Sequence, residues 1–516
     1  MAASTVAGVL FGSAGACAAD SGTVTARRVV FSGNTVVATS ALEAIAAPYL
    51  ARSTSLDELD ELRDKLTRHY TDRGYVNSGV VWNGEVADGV LTFAVMEGRL
   101  SGISLSGMDR LDPRYVTSRL QRHGDGPLNM EVLRERFQLL LTDPLIARMN
   151  ARLMPGAQPG EATLDVDVLR ARPYQFTAFA NNYRPPSIGS NTVGVGGTLR
   201  NLTGVGDVLD LTLQAPAQTG AGARTSASWQ IPLGVGDTRL SAALDRGRAS
   251  VVEQPAAALD ISSVLSSRDV GVSHAVWESL SQKLSLGLNH VRRENRSMLL
   301  GEPYSFTPHE PAGIVKESLW RFWQDYNYRT PTQVIALRST FSAGHNNLQF
   351  VPGLPDADSP SKSFRLWMGQ VQWARQVLDN GAQLVLRATV QHSANRLLAL
   401  DGLSVGGVNT VRGYRENQLV RDQGAYLNLE FDYPLLRHAA TSVSLNLVPF
   451  IDYGSAQNRG QVRATLSSAG LLTRLTWNGF NFDLALAKRL HHCDLATPDN
   501  STLQDRGIHL QASYKY

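Results

Sequence analysis

The chain has 516 residues, of which 43% are hydrophobic and 18% are charged, and its formal net charge is +3 at pH 7. This length predicts at least two folding units. The near balance of 49 Lys and Arg residues against 46 Asp and Glu residues argues against a dedicated nucleic-acid binder. Only residues 1–19 form a long uncharged run, so a membrane protein with this sequence has to be a β-barrel.

The first 19 residues have the pattern of a signal peptide. Residues 6–11 are apolar, and the Ala-Cys-Ala sequence at 16–18 offers a small-residue cleavage site. The usual early Lys or Arg is lacking, which leaves open a start further upstream. Residues 20–26 are then a short linker. Cys493 becomes the only cysteine of the mature chain, so no internal disulfide is expected.

A small α+β module is predicted over residues 27–98, in the order strand, helix, helix, strand, strand. Ser40 is placed to cap the first helix, and Ser55 with Glu58 forms a capping box for the second. Leucines at helical spacing form the apolar face of that second helix: Leu56, Leu59, Leu62 and Leu66.

The same order of elements is predicted again over residues 99–171. Gly33 and Gly107 occupy nearly equal positions in the two segments, which indicates a tandem repeat. Each βααββ module leaves a strand edge open, and such an edge can accept an extended peptide by strand addition. The alternative is that both modules are spacers.

Residues 172–516 have a different sequence pattern. In segments of roughly ten residues, apolar and polar side chains alternate. Between residues 424 and 433, for example, Ala425, Leu427 and Leu429 alternate with polar residues. Charges confined to one face are typical of a barrel with a wet lumen and a lipid-facing exterior. The count of about sixteen such segments predicts a transmembrane antiparallel β-barrel preceded by two α+β modules.

The position of the modules sets the predicted topology of the barrel. Because they precede the first strand and are expected in the periplasm, the odd-numbered strands run outward. The longest loops, at 248–266, 294–314 and 392–423, then face the exterior. The last strand ends with aromatic residues, and this ending resembles the signal read by the outer-membrane assembly machinery; the residues are Tyr514 and Tyr516. Anchoring at the membrane interface is the simpler role for them.

Two motifs in the barrel segment lie on consecutive predicted elements. The loop at 392–423 contains a glycine-rich stretch and a Val-Arg-Gly-Tyr tetrapeptide: Gly406, Gly407, Val411, Arg412, Gly413 and Tyr414. The thirteenth predicted strand contains a Phe-x-Asp-x-Gly pattern: Phe450, Asp452 and Gly454. The tetrapeptide resembles the loop-six signature of the polypeptide-transporting POTRA-barrel superfamily, and the second pattern resembles its partner motif on the barrel wall.

Two POTRA-like modules before a sixteen-strand barrel make the chain similar to the two-partner secretion transporters, the hemolysin secretion/activation proteins. The resemblance covers nearly the whole mature chain. It implies that loop six folds back into the lumen, where Arg412 forms an ion pair with Asp452. The alternation of the strand agrees, because it places Asp452 on the lumen face. Glu430 and Asp432 share that face and are rival partners for Arg412.

The resemblance also implies a function. The POTRA modules of such a transporter bind the N-terminal secretion domain of an exoprotein in the periplasm, and the barrel conducts it unfolded to the cell surface without ATP. Relatives carry an N-terminal plug helix joined by a linker to the first module, but only about eight residues separate the predicted cleavage site from Arg27. The sequence leaves open whether a plug helix exists, and the resting pore is expected to be closed mainly by loop six. The expected partners are the exoprotein, the assembly machinery, lipid and lipopolysaccharide, and a monomer is expected.

Other functions are less well supported by the sequence. An assembly or insertion factor of the same superfamily would typically carry three or five modules, and a passive porin would not need them. No hydrolase or nucleotide-binding motif is present, so no enzyme activity or cofactor is expected. The residues His491-His492-Cys493-Asp494 offer mixed ligands for zinc, but adjacent residues rarely converge on one metal, so no metal site is predicted.

Overall fold

A computed structural model describes residues 23–121, 126–234, 236–349, 359–491 and 502–516. The predicted signal peptide at 1–19, the start of the linker and three of the four residues considered for zinc lie outside this range. None of the helices in the described part of the chain has the length and apolar character needed to cross a bilayer.

The first module contains two helices and a three-stranded sheet. Its elements are β1 (Thr23–Thr25), β2 (Arg28–Ser32), α1 (Thr39–Ala46), a 3-10 helix (Ala47–Tyr49), β3 (Ser53–Ser55), α2 (Leu56–Thr71), β4 (Gly79–Ala87) and β5 (Val90–Met96). The sheet order is β2-β5-β4, with β2 parallel and β4 antiparallel to β5, while β1 pairs separately with β3. Strands β2 and β4 are therefore the two edges of the three-stranded sheet.

The predicted capping box at the start of α2 is present. The backbone N–H of Glu58 donates to Ser55 Oγ at 3.2 Å, and the backbone N–H of Ser55 donates to Glu58 Oε2 at 2.8 Å. The predicted cap of α1 is wrong, because that helix begins one residue before Ser40 and has no side-chain cap. Leu59, Leu62 and Leu66 are buried as expected, but Leu56 is 43% exposed because it stands at the first position of the helix, ahead of the core.

The second module repeats this order of elements. It contains β6 (Arg99–Ser106), α3 (Arg114–Leu120), α4 (Met130–Leu141), β7 (Ile146–Pro155) and β8 (Glu161–Arg170). Its sheet has the order β6-β8-β7, with β6 parallel to β8, so β7 is an edge strand.

One asparagine joins the start of α4 to the end of α2. Asn129 Oδ1 accepts hydrogen bonds from the backbone N–H groups of Glu131 and Val132, at 3.0 and 3.3 Å, which caps α4. Its Nδ2 donates to the carbonyl oxygen of Arg73 at 2.9 Å. The next N–H, that of Met130, donates to the carbonyl oxygen of Gly74 at 2.8 Å. The two modules therefore share a hydrogen-bonded joint.

Sixteen long strands close into a barrel within the described residues, which confirms the predicted fold class. The first seven are β9 (Tyr174–Asn181), β10 (Thr192–Arg200), β11 (Val208–Pro216), β12 (Arg224–Pro232), β13 (Thr238–Ser250), β14 (Ser262–Glu278) and β15 (Gln282–Leu299). The other nine are β17 (Ile314–Arg329), β18 (Gln333–Asn346), β19 (Ser363–Gln376), β20 (Gln383–Ser393), β23 (Gln423–His438), β24 (Val443–Gln457), β25 (Ala464–Trp477), β26 (Phe480–Arg489) and β27 (Ile508–Lys515).

Every neighbouring pair of these strands is antiparallel, and β27 closes the barrel by pairing with β9 from Gln511↔Asn181 to Lys515↔Thr177. The two-residue strand β16 (Glu302–Pro303) extends the outer end of β15. The hairpin strands β21 (Leu403–Val405) and β22 (Leu419–Arg421) form a separate small sheet inside the loop that joins β20 to β23.

The two faces of the barrel wall differ in the way the alternation predicts. On β24, Ile451 and Tyr453 are 58% and 49% exposed on the outer face, whereas the intervening Asp452 is fully buried on the lumen side. On β13, Leu240 and Leu244 point outward. Apolar side chains facing out and polar ones facing in are the arrangement expected of a barrel in lipid.

The two ends of the barrel also differ. One end carries the short turns, such as 330–332 and 478–479, and the chain enters β9 at this end. The other end carries the long connections, among them 251–261, 300–313 and 394–422. These three fall within the predicted external loops.

The C-terminal aromatic residues lie at the short-turn end. Tyr514 contacts Phe480 with ring centroids 4.5 Å apart, and Tyr516 stacks on Tyr174 at 6.5 Å. Arg172 lies 5.3 Å from the centre of the Tyr516 ring. This aromatic patch suits a membrane interface, where ring bodies are apolar and hydroxyl groups are wet. The predicted role of Tyr514 and Tyr516 in assembly stays a prediction.

Candidate functional site

The loop between β20 and β23, here called loop six, folds into the barrel lumen. The β21–β22 hairpin forms its stem, and residues 406–418 form its tip. Gly406 and Gly407 begin the tip with φ values of 111° and 106°, which side chains with a Cβ rarely adopt. At Gly407 a Cβ would lie 2.1 Å from the carboxyl carbon of Glu416, so only glycine fits there.

An apolar cluster holds the stem of loop six against the barrel wall. Val405 and Val411 lie over Gly454, where an added Cβ would come within 2.4 and 2.8 Å of their methyl groups. The buried members of the cluster are Leu403, Val405, Val411, Tyr414, Leu419, Ala456 and Leu466. Gly454 thus provides the space into which the loop packs, and this contact explains the glycine of the wall motif.

Arg412 makes the most extensive polar contacts of the tip. Its Nε donates to Asp452 Oδ2 and its Nη2 donates to Asp452 Oδ1, both at 2.7 Å. Its backbone N–H also donates to Asp452 Oδ2, at 3.0 Å. A two-point pair of this kind fixes both the position and the orientation of the guanidinium group. Arg412 is 3% exposed and Asp452 is fully buried, so both charges are removed from water.

Neighbouring wall residues complete the surroundings of Arg412. Its Nη1 donates to Glu430 Oε1 at 2.7 Å, and Glu430 also accepts from Arg387 Nη1 at 2.9 Å. Asn428 Nδ2 donates to Asp452 Oδ1 at 2.8 Å. The guanidinium carbon lies 3.5 Å from the centre of the Phe450 ring, a cation–π distance. Two carboxylates and the face of one aromatic ring thereby compensate the positive charge of the buried Arg412.

Of the two alternative partners predicted for Arg412, one contacts it and the other does not. Glu430 contacts Arg412 alongside Asp452, so the two carboxylates share one guanidinium. Asp432 lies elsewhere in the lumen, where it accepts from Asn446 Nδ2 at 2.5 Å and lies 3.3 Å from Arg474 Nη1. The prediction that Asp432 is an alternative partner of Arg412 is wrong, because it lies one alternation further from the loop tip.

Gly413 and Tyr414 reach a different part of the wall. The backbone N–H of Gly413 donates to His509 Nε2 at 3.0 Å, and its carbonyl accepts from Arg489 Nε at 2.5 Å. The Tyr414 hydroxyl donates to the carbonyl oxygen of Ser467 at 3.0 Å and to that of His491. Gly413 has φ 89° and a Cβ there would lie 3.0 Å from Ala487, so the turn needs glycine.

A second arginine of the tip, which the sequence did not single out, binds two outer loops. Arg415 Nε and Nη2 donate to the two carboxylate oxygens of Asp505 at 2.6 and 2.8 Å. Its Nη1 lies 3.0 Å from Glu253. The backbone N–H of Glu416 donates to Gln504 Oε1 at 2.9 Å. Loop six is therefore tied to the loops that follow β13 and β26.

The base of loop six forms ion pairs and a hydrogen bond with another part of the barrel wall. Arg293 Nη1 on β15 lies 3.1 Å from Asp401 Oδ1 and 3.4 Å from Glu317 Oε2, and it donates to the carbonyl oxygen of Leu400 at 3.1 Å. Arg396 Nη1, on the ascending limb, lies 3.6 Å from Asp422 Oδ2 on the descending limb. No local sequence pattern signals these long-range pairs.

Burial also affects a carboxyl group of the tip. Glu416 is enclosed beside Gly407, and burial raises its pKa to about 7 even though the N–H of Val408 donates to its Oε1 at 2.6 Å. Within the described residues, no group of three or more His, Cys, Asp or Glu side chains is arranged to hold a metal ion. Of the candidate zinc ligands only His491 is described, and its carbonyl oxygen binds Tyr414.

The fold and the site define a class of protein: an outer-membrane β-barrel with POTRA modules and a lumen occupied by loop six. The family model for the haemolysin secretion/activation protein ShlB/FhaC/HecB matches residues 160–474, and the ShlB-type POTRA domain matches residues 24–98. The chain belongs to the ShlB/FhaC/HecB family of two-partner secretion transporters. It is accordingly an outer-membrane protein whose POTRA modules are periplasmic.

Individual relatives agree with this assignment. The outer membrane transporter CdiB of Dickeya dadantii (strain 3937) is 22% identical over 460 residues, which cover 86% of this chain and 78% of the relative. The solved structure of CdiB from Escherichia coli has a TM-score of 0.74 at 19% identity and covers 98% of this chain and 92% of its own. For CdiB from Acinetobacter baumannii the TM-score is 0.67 at 16% identity, with coverage of 96% and 90%.

Surface labelling should reproduce this topology. Asp64 is exposed on α2 of the first module, and Glu302 is exposed in the loop between β15 and β17. In a Cys493→Ser background, we expect Glu302→Cys to react with a membrane-impermeant maleimide on intact cells. Asp64→Cys should react only after the outer membrane is permeabilised. The reverse pattern would show that the barrel is oriented the other way.

Proposed function

We propose that this transporter recognises an exoprotein in the periplasm through its POTRA modules and secretes it unfolded through the barrel. The observation that carries the proposal is the lumen itself, which is occupied by loop six. An apolar cluster packs the stem of the loop, and ion pairs and hydrogen bonds hold its tip. Ion pairs and hydrogen bonds can be exchanged for contacts with water or with a passing polypeptide.

The role assigned to the site residues follows from these contacts. Arg412, Asp452 and Glu430 hold the tip against β23 and β24, while Gly413 and Tyr414 hold it against β25 to β27. Loop six passes through a cycle in which docking closes the lumen to an unfolded chain and release opens the path. A loop that cannot dock and a loop that cannot leave are therefore both expected to stop secretion. No nucleotide is needed, because folding of the passenger outside the cell makes its backward movement unfavourable.

Recognition is assigned to the edge strands of the modules. Strand β7 is an edge of its sheet, and most of its residues are exposed. An unfolded chain has free backbone groups, so it can add to such an edge with little dependence on its side chains. A spacer would need neither an exposed edge nor a fixed joint such as that made by Asn129.

Cross-linking at the edge strand tests this recognition. We expect a photo-reactive amino acid at Ala151, exposed on β7, to cross-link to the secretion domain of a co-expressed exoprotein. The matched control is the same amino acid at Asp64, exposed on α2, which should give little product. Equal yields at the two positions would contradict binding at the edge.

Deletion of residues 23–171 provides a second readout. The remaining barrel should insert into the membrane and fail to secrete, because it lacks the binding surface. If that barrel secretes at the rate of the full chain, the modules are dispensable and the recognition proposal is wrong.

A further inference from the structure

A cluster of cations lies on the outer face of the barrel and takes no part in the contacts of loop six described above. It occupies the strands β14, β15, β17 and β18 near their outer ends and lines a shallow groove there. Its members are Arg268, Arg292, Arg296, Lys316 and His345. Serine hydroxyl groups from Ser266 and Ser318 lie in the same groove.

Alternation along the strands shows that these side chains point outward. Val270 is 61% exposed and follows Arg268 by two residues, and Trp320 is 54% exposed and follows Lys316 by four. Phe341, 51% exposed, precedes His345 by four. Residues an even number apart share one face of a strand. The cations therefore lie on the same face as the apolar belt that contacts lipid.

Two of the cations lie at one level of the barrel, and the other three lie two to four residues further out along their strands. Arg268 is ten residues from the inner end of β14 at Glu278, and Arg292 is ten residues from the inner end of β15 at Gln282. With a rise near 3.3 Å per residue and the usual tilt, ten residues span roughly 25 Å along the barrel axis, the height of the apolar belt. The cluster therefore stands where the hydrocarbon ends and the outer headgroups begin.

The charges of the cluster are not balanced by the protein. Arg268 and Arg292 are directly opposite each other in the β14–β15 register, an arrangement of like charges that destabilises a sheet. Neither guanidinium forms an ion pair with a described residue. Glu294 pairs with Arg296 at 2.6 Å and lies 3.9 Å from Lys316. The other carboxylate that lines the groove, Glu317, is buried 3.4 Å from Arg293. An anion from outside the chain would relieve the repulsion.

We propose that this groove binds a phosphorylated glycolipid headgroup of the outer leaflet, of the lipid A type. Opposed guanidinium groups match phosphate, since each offers paired N–H donors to its oxygens. The serine hydroxyls supply neutral donors beside them. The adjoining apolar belt accommodates the acyl chains of the same molecule, which a soluble anion or an acidic peptide lacks. The bound lipid anchors the β14–β18 side of the barrel in the outer leaflet.

Native mass spectrometry of the purified full-length transporter tests the proposal. The probes are bis-phosphorylated lipid A, its dephosphorylated form and inorganic phosphate, each added in detergent. We expect bis-phosphorylated lipid A to be retained and to bind about tenfold more weakly to Arg268→Ser/Arg292→Ser. The dephosphorylated lipid should bind weakly to both proteins. The matched control is Lys488→Ser, which removes a single outward cation on β26 and should leave the affinity unchanged.

Thermal unfolding distinguishes lost binding from lost folding. In lipid-free detergent the double variant should unfold at the same temperature as the parent or higher, because a like-charge pair has been removed. Bis-phosphorylated lipid A should raise the unfolding temperature of the parent more than that of the double variant. Equal lipid affinity in parent and double variant would overturn the proposal. Displacement of the lipid by millimolar inorganic phosphate would also overturn it, in favour of a site for free anions.

Discussion

Replacing Arg412 with alanine is expected to abolish secretion of the exoprotein while the barrel still inserts into the membrane. The change removes both side-chain bonds to Asp452, the bond to Glu430 and the contact with Phe450. It leaves Asp452 buried without a cation and Glu430 with Arg387 alone. Breaking a buried ion pair costs about 3–5 kcal/mol, which lowers the ratio of docked to free loop by at least about 100-fold.

The Asp452→Ala variant should be at least as defective. It removes the same side-chain pair together with the backbone bond from Arg412 and the bond from Asn428, whereas Arg412→Ala keeps the backbone bond. The double variant should lose little more than either single variant, because the two residues act as one unit. Secretion is measured by immunoblot of the medium, and insertion by the heat-dependent gel mobility of the barrel.

Arg474→Ala is the matched control for these variants. Arg474 also faces the lumen and pairs with Asp432 and Asp483, but its side chain is 37% exposed and does not touch loop six. An exposed pair contributes about 0–1 kcal/mol, so secretion should stay near the parent level. Normal secretion by both Arg412→Ala and Asp452→Ala would show that this ion pair has no role in transport.

A disulfide between loop six and the wall is expected to stop secretion reversibly. A Cβ at Gly454 would lie 2.4 Å from a methyl carbon of Val405, so the cysteines of Val405→Cys/Gly454→Cys fall within bonding reach. In a Cys493→Ser background, oxidation should reduce secretion to background, because the covalent bond keeps the loop in the lumen. Reduction with dithiothreitol should restore it.

The single-cysteine variants are the controls for this experiment. Each carries one of the two changes in packing and cannot form the cross-link, so oxidation should not alter its secretion. Cross-link formation is followed by the gel mobility of the denatured protein. If the fully cross-linked barrel still secretes at the parent rate, the passenger travels past a docked loop six, and release of the loop is not required.

Local patterns in the sequence predicted much of the fold. The alternation along β24 placed Asp452 in the lumen, because a two-residue period leaves no choice once one neighbour faces lipid. The capping box at Ser55 was readable for the same reason, since both partners lie within one helical turn. The predicted capping role of Ser40 was wrong because α1 begins at Thr39. Its N-cap is Ala38, which has no capping side chain and so gives no signal in the sequence.

The contacts of Arg415, Arg293 and Gln504 could not be predicted, and the reason is physical. Each joins loop six to a strand or loop that is distant in sequence, and no spacing rule connects Arg415 to Glu253 or Arg293 to Asp401. Arg412 contacts both Asp452 and Glu430, and this sharing likewise depends on the register of β23 against β24. That register sets Glu430 opposite Phe450. Alternation alone gives the face of a residue and not its height in the barrel.

Asn129 carries a consequence for how such a protein can change over time. The same side chain caps helix α4 of one module and donates a hydrogen bond to the carbonyl oxygen of Arg73, just after helix α2 of the other. A mutation that loosened the joint would therefore also fray α4, so flexibility and folding cannot be adjusted separately at this position. If a more flexible contact between the modules became advantageous, another capping residue for α4 would have to evolve first. Until then, selection for stability alone would preserve the geometry between the modules.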